Sequence, residues 1–80
     1  MKIYLIKLMN SEEQYDCYLG HVIVANSELE VRQLAEDERA PFEASGRWVE
    51  SNDNCIISTI SDYTGNESLP FIILSAFNAG

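Results

Sequence analysis

Apolar positions alternate with a period of two along most of this chain, and a single stretch follows the period of a helix. Residues 2–9 open the pattern: Tyr4, Ile6 and Leu8 alternate with Ile3, Leu5 and Lys7. Both sides of that segment are largely apolar, which predicts a strand inside a sheet rather than at its edge. Asn10 to Gln14 breaks the pattern with turn formers and charge. The β-branched run His21-Val22-Ile23-Val24-Ala25 predicts a second strand, returning antiparallel to the first. The stretch Asn26–Arg39 carries Val31, Leu34 and Ala35 at helical spacing. Its start is marked by Ser27 and Glu30, spaced for a capping box in which each side chain serves the other's backbone amide. Glu28 and Glu30 place negative charge at the positive end of the helix dipole. Pro41 disfavours helical geometry in the residue before it, so the helix ends near Arg39-Ala40. A loop from Phe42 to Gly46, a short extended piece at Trp48-Val49 and a turn at Ser51–Asn54 follow. Cys55–Ser61 predicts the third strand. After the polar loop Asp62–Ser68, Pro70 introduces the fourth, Phe71–Phe77.

The order β-β-α-β-β predicts an α+β domain over residues 1–80: a four-stranded, mainly antiparallel sheet with one helix packed on one face. The expected core is Tyr4, Ile6, Leu8, Val22, Val24, Val31, Leu34, Ile57, Ile72 and Leu74, closed at its ends by Trp48 and Phe77. One helix covers only one side of a sheet. Ile3, Leu5, Ile23, Ile56, Ile60, Phe71 and Ile73 are then expected on the other side, where loops or a second copy of the chain in a homodimer would cover them.

Size and charge narrow the function. Eighty residues make one small domain, which buries only about 60–65% of the surface its unfolded chain exposes. Thirteen acids against five bases leave a net charge of −8. That charge repels nucleic acid and anionic membranes and favours basic protein partners. Lys2, Lys7, Arg32, Arg39 and Arg47 are scattered, without a basic stripe. The opening residues lack the features of a signal peptide and no apolar run reaches membrane-spanning length, so a cytoplasmic location is expected. Cys17 and Cys55 lie outside any Cys-x-x-Cys spacing, and His21 alone does not complete a zinc set with them. No metal or cofactor is expected.

Candidate chemistry is sparse. No serine, histidine and acid fall in a hydrolase motif, and no glycine-rich phosphate loop is present, so a non-enzymatic role is expected. His21 at a strand start reads as a structural or exposed histidine. Tyr15 and Tyr18 beside Asp16 make either a recognition surface or a pair of rings folded over the sheet edge. The acids carry the strongest signal: Glu28, Glu30, Glu36, Asp37 and Glu38 on the helix and its exit, with Glu12, Glu13 and Asp16 in the first loop. Carboxylates held on a rigid helix imitate spaced phosphates and fit a basic groove. A solvated helix face with internal ion pairs, such as Glu28 to Arg32, is the competing reading.

Four segments also resemble a group of short phage- and prophage-borne bacterial proteins: Tyr15-Asp16-x-Tyr18, Val22-Ile23-Val24-Ala25-x-Ser27-Glu28-x-Glu30-x-Arg32, Trp48, and Ile72-Ile73-Leu74-Ser75-x-Phe77-Asn78-Ala79-Gly80. The resemblance implies a phage-related setting and supplies no catalytic residue. Within that setting, small acidic α+β proteins resemble anti-CRISPR proteins, several of which block the DNA-binding surface of a Cascade-type complex. The expectation is an inhibitor that covers a basic nucleic-acid-binding surface of a host effector complex through its helix and loop acids, without contacting nucleic acid itself. The alternative expectation is a small homodimeric interaction or accessory module.

Overall fold

The computed structural model describes residues 1–8, 17–39, 46, 48–49 and 55–78, with the side chains of 17, 77 and 78 outside that description. Four strands and one helix follow the expected order: β1 (Lys2–Leu8), β2 (Cys17–Ala25), α1 (Glu28–Asp37), β3 (Cys55–Asp62) and β4 (Phe71–Asn78). The sheet order is β3-β1-β2-β4 and every pairing is antiparallel. The doubly apolar β1 is therefore an interior strand, as its pattern predicts. The expected loop at 42–45 and turn at 51–54 lie outside the described residues.

Strand β2 begins at Cys17, four residues before the expected start, because Gly20 does not end it. Gly20 pairs with Lys7, and a Cβ there would lie 3.0 Å from the Ile6 carbonyl oxygen. Glycine permits that close approach next to a bulge between Tyr18 and Gly20. At the helix start, the Glu30 amide donates to Ser27 Oγ at 3.3 Å, while Glu30 Oε1 accepts from the Asn26 amide at 2.7 Å. The reciprocal bond thus reaches one residue further back than the capping-box spacing implies.

Residues opposed across a ladder share a side of the sheet. Tyr4 with Ile23 and Ile6 with His21 face the helix, whereas Ile3 with Val24, Leu5 with Val22 and Lys7 with Gly20 face away. This reverses the expected phase of β2. Ile23 is in the core, Val22 is half-buried on the open side, and Val24 is buried there. In β4 the pairing shifts between Val22–Leu74 and Ile23–Ile72, leaving Ile73 as the extra residue. That bulge resets the alternation, so Ile72 faces the helix while Leu74, expected in the core, is 65% exposed on the other side.

The core lies between α1 and the sheet. Val31 and Ala35 of the helix are buried against Tyr4, Ile6, Leu8 and Ile23, with Leu34, Ile57 and Ile72 packed around them. Trp48 is fully buried and belongs to this cluster. The Val49 amide donates to the Gly46 carbonyl at 3.1 Å, so this segment is a turn rather than the expected extended piece. Gly46, at φ 86°, takes the left-handed conformation that the turn requires.

Candidate functional site

The acids expected to form a partner surface separate into four groups. Glu12, Glu13 and Asp16 lie outside the described residues. Glu30 is half-buried and occupied by the helix cap. Glu36 is corrected from surface residue to interior anchor, at 7% exposure. Its Oε2 accepts from the Gly46 amide at 2.8 Å and from Arg39 Nη1 at 3.1 Å, and its Oε1 accepts from the Trp48 amide at 3.2 Å. A buried carboxylate is tolerated where donors surround it, and here those donors fasten the segment after the helix onto the core.

Glu28, Asp37 and Glu38 remain exposed. Nine residues separate Glu28 from Asp37, which places them about 180° apart around the helix and about 13 Å apart along it. Asp37 accepts from Gln33 Nε2 at 2.9 Å, and Glu38 accepts from the Tyr18 hydroxyl at 3.5 Å. Arg32 donates to the Trp48 carbonyl at 3.2 Å rather than pairing with Glu28. The helix therefore presents acids at its two ends instead of a row along one face.

His21 is 1% exposed on the helix side of β2. Its Nδ1 lies 2.6 Å from Ser75 Oγ, across the ladder on β4, and its ring lies 4.9 Å from that of Tyr18 and 5.0 Å from that of Trp48. No sequence spacing announced Ser75 as a partner, because 54 residues separate the two. The enclosure makes this pair a polar cross-link between β2 and β4. Tyr18 packs its ring against the core from interior strand β2 and donates its hydroxyl to Glu38, rather than folding over a sheet edge; Tyr15 lies outside the described residues. Among the described residues no cluster of three metal-ligating side chains occurs, and no helix is long and apolar enough to cross a membrane.

Among the described residues, no helix or strand covers the side of the sheet away from α1. At the end where β1 finishes, Gly20 and Ala76 form the floor of an open depression of about 400 Å³ walled by Leu5, Leu19, Val22 and Leu74, with Lys7 at its margin. Ile56, Ile60 and Ile73 add exposed apolar surface along the two edge strands. The opposite end is built differently. The connection from β3 to β4 must pass β1 and β2, which lie between them. The Tyr63 amide holds that connection to the Met1 carbonyl at 3.1 Å, and its ring meets Phe71 edge-on at 5.5 Å. The Tyr63 hydroxyl donates to Glu67. That bond holds the Glu67 carboxyl below its usual range and raises the Tyr63 phenol above its own. A side chain at Gly65 would meet the outer end of the Tyr63 ring and displace it.

Comparison with protein-family models, curated proteins and solved structures gave no significant match to this chain.

Proposed function

We propose that this chain is a non-enzymatic protein-interaction module whose contact surface is the open side of its sheet. The observation that carries this reading is the exposure of Leu74, Ile73, Ile60 and Ile56 on and beside a face that no described element covers. Apolar side chains exposed on one face mark binding sites, because each one left in water forgoes the free energy of burial. Photo-crosslinking residues placed at Leu74 and, separately, at Asp37 test the assignment. Adducts are expected from position 74 and not from position 37; adducts from position 37 alone contradict it.

A second reading follows the charge. Net charge −8, together with the exposed Glu28, Asp37 and Glu38, favours a basic partner, and the likeness to phage-borne proteins supplies a setting in which that partner is a nucleic-acid-guided effector, as for anti-CRISPR proteins. Its test spares Glu36, whose reversal would break the fold. Lysine at positions 28, 37 and 38 should remove inhibition of such an effector, and the wild-type association should weaken steeply with salt. Unchanged inhibition by the triple variant rejects this surface.

A further inference from the structure

We propose that the occupant of the open sheet face is a second copy of this chain, packed face to face about a two-fold axis that runs across the strands. This rests on the interaction reading above and names its partner. Such an axis lays each strand over its own copy in the opposite direction, so the two ends of the face exchange places.

The ends are complementary in shape and in charge. One end is hollow: Gly20 and Ala76 contribute almost no side chain, and the depression of about 400 Å³ opens between Leu5, Val22 and Leu74. The other end is filled: Val24 is buried there, Tyr63 packs on Phe71, and Leu69 projects beside them at 75% exposure. The two-fold places the filled end of each copy over the hollow end of its partner, twice. Lys7 stands at the hollow end, and Glu67 is bonded to Tyr63 at the filled end. The same rotation brings each Lys7 toward the partner's Glu67 and keeps the two lysines at opposite ends of the interface.

Charge also explains why this face, rather than another, receives a second copy. Each chain carries −8, so self-association is opposed everywhere acids are exposed. Among the described residues of β1, β2 and β4 that face away from the helix, Lys7 is the one charged side chain. The area sets the strength. Four strands of about seven residues span roughly 19 by 23 Å, about 440 Å² in projection, about half of the 800 Å² per partner of a standard interface. The dimer is accordingly a weak one, populated as concentration rises.

Sedimentation velocity of the full chain across a concentration series, at low and high salt, tests the arrangement. The wild type is expected to move from 9.0 kDa toward twice that mass as concentration rises. Leu74→Asp, at an exposed position, should stay monomeric while keeping its circular dichroism. Lys7→Glu and Glu67→Lys should each weaken dimerisation about tenfold, and the double exchange should restore it. Glu67→Lys is the sharper of the two, because it lowers the net charge from −8 to −6 and on global repulsion alone would strengthen association. A wild type monomeric at every concentration, a dimer indifferent to Leu74→Asp, or a charge exchange that fails to rescue overturns the proposal. A monomeric wild type that still crosslinks through position 74 to a different protein overturns only the identity of the partner and leaves the interaction reading standing.

Discussion

The two sides of this sheet are made from similar residues and end in opposite states. The helix side encloses its polar groups: His21 meets Ser75, and Glu36 receives two backbone amides and an arginine. The open side carries few polar groups among its described residues, Lys7 on β1 and Ser58 and Ser61 on β3, and leaves leucine and isoleucine in water. Hydrophobicity alone therefore does not tell the two sides apart. The difference comes from α1 and Trp48, which give one side a lid, while the other side, among the described residues, has the short connection between β3 and β4 at one end. A small domain with one helix has no second lid to spend, and the uncovered side is where an association can gain burial that folding did not.

The largest effect separating the sides is expected at the lid. Trp48→Ala removes a fully buried ring and should cost about 3–5 kcal/mol, close to the whole stability of a domain this size. Thermal denaturation by circular dichroism should show the variant unfolded or nearly so at room temperature; a native-like transition would mean that Trp48 does not close the core. Glu36→Gln comes next. It keeps the shape but removes the charge that Arg39 and the two amides address, and should destabilise by about 1–3 kcal/mol in urea. Asp37→Asn beside it should stay within about 0.5 kcal/mol of wild type.

The phase of β2 offers a finer comparison. Ile23→Ala opens a core cavity and should cost about 2–4 kcal/mol, whereas Val22→Ala, half-buried on the open side, should cost under about 1 kcal/mol. Equal costs would place the two residues on equivalent faces. The smallest effect lies at the filled end of the open side. Because Glu67 lowers its own titration by accepting from Tyr63, that bond is present above the ordinary carboxylate range and is lost as pH falls through the lowered value. The raised phenol gives the opposite limit: its share holds below the usual tyrosine range and is lost as pH rises through the raised value. Glu67→Gln should return one tyrosine titration toward about 10, read by tyrosinate absorbance.

Element order, the antiparallel sheet, the Ser27 cap and the anchoring role of Trp48 were all legible in the sequence, because each depends on local spacing or on one large apolar residue. The phase of β2 was not. Val22, Ile23 and Val24 are equally apolar, so period-two reading has no polar marker to set it, and the one polar residue of the run, His21, points inward to Ser75. Leu74 leaves the core side because a bulge at Ile73 resets the count, and bulges leave no mark in a uniformly apolar strand. Helical projection puts Glu36 at the surface, five residues from Val31 and about 140° around the helix. Its burial comes from the backbone of residues 46 and 48, which no helical projection contains.

Two leucines supply an internal control for the central claim. Leu29 on the helix is 76% exposed and Leu74 on the open sheet side is 65% exposed. Carbene footprinting of the wild-type chain in dilute and concentrated solution compares them in one sample. If the open side is the contact surface, labelling of Leu74 falls as concentration rises and labelling of Leu29 stays constant. Labelling of Leu74 that holds steady across the series, or protection that settles on Leu29 instead, contradicts it.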